Sequence, residues 1–313
     1  MLAETHIKRL FLGIEIGGTK LQVVVGDEAA QIETRRKLAV DPKRGAEGIR
    51  RQLTQVLPEC ALGAEIEAVG VGFGGPVDWR SGKICRSHQI KGWSDFDLAG
   101  WLRQLAGAPV VVDNDANVGA LGEARHGAGV GFNPVFYVTL GSGVGGGLVV
   151  DGRIYHGTAP GESEIGHIRL DRQGTTVEAR CSGWSVDARI RELQEADPKS
   201  ALSRLAAQAP GAEASRLAAA LAEDDPHAKR LIDDLGEDLG FALSHVVQLV
   251  HPDMVILGGG LSGIGEPLRT SVANALRRYT MHAFAPGPEV RLAALGADAV
   301  PTGALVLARE FWR

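Results

Sequence analysis

Asn114 and Asp115 stand side by side in the run Asp113-Asn114-Asp115-Ala116-Asn117, which is too polar for a core position. An amide beside a carboxylate can hold a hydroxyl and accept its proton, as phosphoryl transfer to an alcohol requires. Asp115 is the best base candidate. The same residue types also build Asx turns and helix N-caps, with Asp113 or Asn117 as the cap, so both roles stay open. A second polar cluster, Gly161-Glu162-Ser163-Glu164-Ile165-Gly166-His167, spaces Glu164 and His167 to hydrogen-bond neighbouring hydroxyls on one turn. A structural His and a solvated Glu162 are the plain alternatives there.

Two glycine-rich turns could hold the phosphates. The first is Gly13-Ile14-Glu15-Ile16-Gly17-Gly18-Thr19-Lys20, and the second is Gly141-Ser142-Gly143-Val144-Gly145-Gly146-Gly147. Glycines let main-chain N–H groups approach an anion closely, and Thr19 and Ser142 add hydroxyl donors. Either turn alone reads equally well as a hairpin. Two with the same strand–turn–strand grammar, joined by Gly258-Gly259-Gly260, suggest two jaws on one polyphosphate and hence a phosphotransferase. Near His167 there is no Cys-x-Cys pair and no second His, which argues against zinc.

The flanking segments must aim these groups. Leu10 to Ile16 and Leu21 to Gly26 read as a hairpin around Gly17-Gly18, and Ala68 to Phe73 as a buried strand stopped by Gly74-Gly75-Pro76. Gly45 to Leu57 is helical, with Ile49, Leu53, Val56 and Leu57 on one face, and Ser94 to Leu105 is helical behind a Ser or Asp cap. Val110 to Val112 forms a strand that delivers Asp113 to Asn117 at its carboxyl end, before a helix to about Arg125. Strands at 135–140 and 147–151 frame the second turn. Ser200 to Glu223 reads as an Ala-rich helix, Pro226 to Val250 as a long amphipathic one, Met254 to Leu257 as a strand and Thr302 to Trp312 as a closing helix. The mixture is α/β, with glycines and carboxylates at strand ends.

A chain of 313 residues with 44% hydrophobic and 23% charged residues can build two cored domains. Its net charge of −5 disfavours a nucleic-acid binder. Cys60, Cys85 and Cys181 are scattered and odd in number, which suits a reducing cytoplasm rather than a disulfide framework. Neither a secretory leader nor a membrane span is expected.

Together these motifs resemble the ROK family of sugar kinases and repressors in the actin-like ATPase (ribonuclease H-like) superfamily. The match runs nearly end to end: Gly13 to Lys20, Gly74-Gly75-Pro76-Val77-Asp78, Asn114 to Asn117 leading to Gly122-Glu123, Thr139 to Gly147, Gly152-Arg153, Gly161 to His167, and Val255 to Gly260. The resemblance implies a two-domain α/β fold, each domain a mixed five-stranded sheet flanked by helices, with a cleft between them that closes over the sugar. It places residues 1–115 and 301–313 in a small domain carrying the first phosphate motif, and 116–300 in a large one carrying the second. It makes Asp115 the general base and puts Asn114, Glu164, His167 and Gly75 on the sugar. Gly17, Gly18, Thr19, Lys20, Gly141, Ser142 and Gly143 would meet the phosphates of ATP·Mg²⁺, with Gly259 and Gly260 near the nucleoside. A homodimer is implied as well.

The chain departs from the family pattern at four places. Glu15 stands where most members have Asp, lengthening the arm toward magnesium. The zinc cluster that follows the Gly-His pair is missing, so no structural zinc is expected. Aligning Val177-Glu178-Ala179 with the family's Leu-Glu-Ala across that deletion makes Glu178 a further sugar ligand. The family's Pro-Asn stretch is Ser87-His88-Gln89-Ile90 here, where His88 or Gln89 could line the sugar pocket, and Ser142 replaces Thr. An ATP-dependent kinase for a glucose- or fructose-type hexose is the expected function. The alternative is a catalytically inactive sugar-binding sensor of the same family; only sixteen residues precede Gly17 and the chain is acidic, which disfavours a repressor.

Overall fold

The computed structural model describes residues 9–60, 65–85, 90–159, 161 and 163–312. The chain divides into two compact units, Met1–His126 with Arg153–Glu162 and Ala297–Arg313, and Gly127–Gly152 with Ser163–Gly296. The division after the first long segment thus falls at His126, whereas the family resemblance places it after Asp115.

The first unit is built on a sheet of β1 (Leu10–Ile16), β2 (Lys20–Gly26), β3 (Ile32–Ala39), β4 (Ile66–Phe73) and β8 (Val110–Asn114), in the order β3-β2-β1-β4-β8. β1, β2 and β3 pair antiparallel; β4 joins β1, and β8 joins β4, in parallel. These parallel strands are near-continuous apolar runs, as burial on both faces demands. On one face α1 (Gly45–Cys60) buries Ile49, Leu53, Val56 and Leu57, the stripe its spacing predicts. A small sheet of β5 (Val77–Asp78), β6 (Lys83–Ile84) and β7 (Phe96–Asp97) precedes α2 (Leu98–Ala106). That helix starts at Leu98 rather than Ser94, because β7 takes the preceding residues and the Asp97 side chain caps the helix from Gly100 N–H at 2.9 Å.

On the other face lie α3 (Asp115–His126) and the C-terminal helix α10 (Ala299–Trp312). The two helices cross at backbone contact. A Cβ built on Gly303 would sit 1.8 Å from the Val118 carbonyl oxygen, and one on Gly122 would sit 2.2 Å from that of Ala299. Only glycine permits that approach. Eight residues of α3, Ala116 to Glu123, are buried, so its amphipathic signal is weak.

The second unit repeats the plan with β9 (Val135–Leu140), β10 (Val144–Val150), β12 (Met254–Gly258) and β13 (Glu289–Leu292), and the edge strand β11 (Arg153–Ile154) is where the chain leaves the unit. The order is β11-β10-β9-β12-β13, with β9 and β10 antiparallel and β9, β12 and β13 parallel. Its helices are α4 (Val177–Cys181), α5 (Gly183–Ala196), α6 (Ala201–Ala206), α7 (Leu217–Ala222), α8 (Pro226–Val250) and α9 (Glu266–Tyr279). α8 starts at Pro226, as expected, and the structure adds the cap: Asp225 accepts from the N–H groups of His227 and Ala228, both at 2.9 Å.

Two sequence expectations fail here. Ser200 to Glu223 is not one helix but α6, a 3₁₀ turn and α7. Pro210-Gly211 interrupts it, and Ala214 N–H is diverted to the buried Asp187 carboxylate at 2.7 Å. The strand after the second glycine turn starts at Val144 instead of Gly147, because Val144, Gly145 and Gly146 pair in register with Leu140, Thr139 and Val138. No helix among the described residues is long and apolar enough to cross a membrane.

Candidate active site

In the first unit, β8 ends at Asn114 and α3 begins at Asp115, so strand and helix together aim the polar run. Asn114 is the residue that caps the helix, in place of the expected Asp113 or Asn117. Its Oδ1 accepts from Ala116 N–H at 2.8 Å and Asn117 N–H at 3.3 Å, while its Nδ2 donates to the Gly75 carbonyl at 3.1 Å. Asp115 follows in the first turn of α3. A Cβ built on Gly74 would lie 3.3 Å from Asp115 Oδ2 and equally close to the Gly17 Cα, so the carboxylate sits beside the first glycine turn.

That turn is closed by Gly17 N–H donating to the Lys20 carbonyl at 2.7 Å, and Gly74 N–H donates to the Ile16 carbonyl at 2.8 Å. Gly17 and Gly18 are half-buried, and Thr19 and Lys20 are exposed. Asp115, Asn114, Gly75 and Gly17 are therefore brought together. Glu15 is buried beneath this turn, its carboxylate bonded to Nε2 of its cross-strand neighbour Gln22. Burial raises its pKa above the ordinary value; the Gln22 bond and the charges of Lys20 and Arg35 pull against that rise.

In the second unit the turn between β9 and β10 is cross-braced. Gly141 N–H donates to the Gly143 carbonyl at 3.0 Å, and Gly183 N–H at the start of α5 donates to the Gly141 carbonyl at 2.7 Å. Glu178 Oε2 accepts from Val144 N–H at 2.9 Å. Gly259, at a φ of 80°, abuts the same turn: a Cβ there would lie 2.5 Å from backbone atoms of Leu140. Gly141, Ser142, Gly143, Gly259 and Gly260 are thereby gathered at one end of the sheet. Glu164 precedes a 3₁₀ turn over Ile165–His167, and His167 N–H donates to its carbonyl at 3.0 Å. Both side chains are exposed. The turn packs against β10, since a Cβ on Gly166 would fall 2.1 Å from the Val144 carbonyl oxygen.

Residues 168–177, where the resemblance puts the deleted zinc loop, form a tight hairpin. Arg169 bridges Thr176, Leu170 N–H donates to the Thr175 carbonyl at 2.8 Å, and Asp171 accepts from Thr175 N–H at 3.0 Å. Among the described residues, no group of three or more His, Cys, Asp or Glu could hold a metal ion. Ser87, His88, Gln89 and Glu162 lie outside the described residues.

Sequence reasoning missed two residues beside Asn114. The His156 Nε2 lies 2.6 Å from Asp113 Oδ2, and its ring stacks on Trp79 at 4.1 Å. Nothing in local spacing links positions 79, 113 and 156; the only signal was that Asp113 is a polar residue ending an apolar strand.

With this geometry in view, comparisons with known proteins converge. The model of the ROK family matches residues 11–311. The chain is 30% identical over 306 residues to a glucokinase of Halalkalibacterium halodurans, covering 93% of this chain and 92% of the relative. A kanosamine kinase of Amycolatopsis mediterranei is 32% identical over 302 residues, 95% of each chain. The crystal structure of a ROK family glucokinase from Streptomyces griseus, in complex with glucose and AMPPNP, superposes with a TM-score of 0.85 at 32% identity. It covers 96% of this chain and 99% of that one.

Proposed function

The chain belongs to the ROK family and is a sugar kinase, and we propose that it transfers the γ-phosphoryl group of ATP to a hexose hydroxyl with Asp115 as general base. The observation that carries this reading is the Asp115 carboxylate at the first turn of α3, packed against Gly74 and beside the Gly17 turn. The acceptor hydroxyl donates to that carboxylate. As the bond from its oxygen to the γ-phosphorus forms and the bond to the β-phosphate oxygen breaks, the proton passes to Asp115 and ADP leaves.

Asn114 has one amide hydrogen left after binding the Gly75 carbonyl, and we assign it to a sugar hydroxyl together with Glu164, His167 and Gly75. Glu178 joins them through its Oε1, since its Oε2 holds the second glycine turn. Gly17, Gly18, Thr19, Lys20, Gly141, Ser142 and Gly143 serve the phosphates; Gly259 and Gly260 serve the nucleoside. Glu15 fits magnesium as a single hard ligand, one oxygen being taken by Gln22, so the metal would draw its other ligands from phosphates and water. When bound, it neutralises charge on the transferring group. Glucose- or fructose-type hexoses are the proposed acceptors, supported by the glucokinases among the relatives and by the glucose in the Streptomyces griseus structure. A cytoplasmic homodimer belongs to the same reading.

The test is ADP release from ATP·Mg²⁺ across a panel of hexoses and hexosamines, with Asp115→Asn alongside. That substitution keeps the shape and removes the base, so turnover falls by about 10²–10⁴-fold while sugar binding by calorimetry persists. Near-normal turnover in the variant would refute the base assignment. Sugar binding by the unaltered protein with no turnover on any sugar would favour the sensor alternative.

A further inference from the structure

The chemistry proposed for the first unit makes no use of His156, Asp113 or Trp79, yet all three converge on the residues that carry it. The Asp113 and His156 side chains are 4% and 18% exposed. Asp113 spends its whole carboxylate inside the protein. Oδ1 accepts from Asn114 N–H at 2.7 Å and from Asn117 Nδ2 at 3.0 Å, and Oδ2 meets His156 Nε2 at 2.6 Å. A carboxylate only accepts, so Nε2 carries the proton and donates. The imidazole is held a second way: it stacks on Trp79 with ring centroids 4.1 Å apart and planes 17° apart, and the Arg80 guanidinium lies 4.7 Å over that same indole.

The consequences run along the backbone. Asp113 grips the Asn114 peptide and the Asn117 side chain, residues on either side of Asp115. Asn114 caps the helix whose first turn carries Asp115, and it ties that turn to Gly75. Without the His156 donor, Asp113 Oδ2 would be a buried carboxylate oxygen with nothing to accept from. It would regain a partner only by rotating and releasing the bonds made by Oδ1.

We propose that His156, clamped by Trp79 and bonded to Asp113, is a positioning residue that sets the aim of Asp115 without touching substrate. The proposal rests on the reading of Asp115 as base. Misplacement of a reacting group by about 1 Å can cost roughly a hundredfold in rate, which sets the scale.

The test pairs kinetics with hydrogen exchange in two variants of the full chain. His156→Phe keeps a flat ring against Trp79 and removes the donor, whereas His156→Gln presents an N–H at similar reach without the ring. In His156→Phe, kcat/KM for the sugar falls about ten- to a hundredfold. The KM for ATP is unchanged, and amides around Asn114 to Asn117 exchange faster. His156→Gln restores most of the sugar-side loss and the protection. Unaltered sugar kinetics and exchange in His156→Phe would overturn the proposal. So would equal losses in both variants accompanied by a weakened KM for ATP and a lower Tm, which would mark His156 as packing alone. If the unaltered protein releases no ADP with any sugar, the kinase reading fails. Exchange still decides the positioning role: faster exchange in His156→Phe, reversed in His156→Gln, supports it, and no change overturns it.

Discussion

Gly143→Ala gives the sharpest test of how the second glycine turn is held. Gly143 has a φ outside the left-handed region, so alanine adds no backbone strain, only a methyl group. That methyl would lie 2.4 Å from Glu178 Oε2 and 3.3 Å from its carboxylate carbon. Ordinary carbon–oxygen contact begins near about 3.4 Å, so the carboxylate must withdraw by about 1 Å. The Val144 N–H bond to Oε2, now 2.9 Å, then opens beyond hydrogen-bonding range. Bonds to charged groups contribute about 1.5–3 kcal/mol, and Glu178 is half-buried, so the lower end applies. About 1.5 kcal/mol corresponds to roughly a tenfold rise in the KM for ATP, measured at saturating sugar. The decisive assay is a double-mutant cycle with Glu178→Ala. If the methyl acts by displacing this carboxylate, Gly143→Ala costs little once the carboxylate is gone. Additive losses in the double variant would refute the reasoning.

Three further outcomes are expected. Burial raises the Glu15 pKa above its ordinary 4.5, so the folded state holds that proton more tightly than the unfolded one; the stability this contributes is full below 4.5 and is lost as pH rises through the raised value. Glu15→Gln keeps an acceptor for Gln22 and removes the charge. Its Tm should exceed that of the unaltered protein at neutral pH and converge with it in acid, and a lower Tm at neutral pH would contradict this. Gly303→Ala drives a methyl into the Val118 carbonyl oxygen, a backbone atom that cannot swing aside, so a loss of about 3 kcal/mol or more is expected in denaturant unfolding. Unchanged stability would mean that α3 and α10 do not cross so closely. Burial pushes the Cys181 thiol up in pKa, so in the native protein iodoacetamide should label the half-buried Cys60 and Cys85 first, as mass spectrometry would reveal. Early labelling of Cys181 would contradict its burial.

The sequence by itself determined the hairpin around the first glycine turn, the strand entering the second, the inward stripe of α1, the start of α8 and the family. Each is written in local periodicity or in residues at fixed offsets, such as Pro226 at a helix start or Gly17-Gly18-Thr19. It also presented Asn114-Asp115 at the end of an apolar strand, where residues of these types either cap the following helix or handle a hydroxyl. Only the tertiary structure decided what each polar group is bonded to. Asn114 rather than Asp113 caps α3, since Asp113 is drawn to His156, which is distant in sequence. Glu178 braces Val144, and Pro210-Gly211 with Asp187 breaks what composition reads as one helix. Hydrogen bonds and ring stacks form between atoms that folding brings within a few ångströms, and that distance has no counterpart in the spacing of residues along the chain.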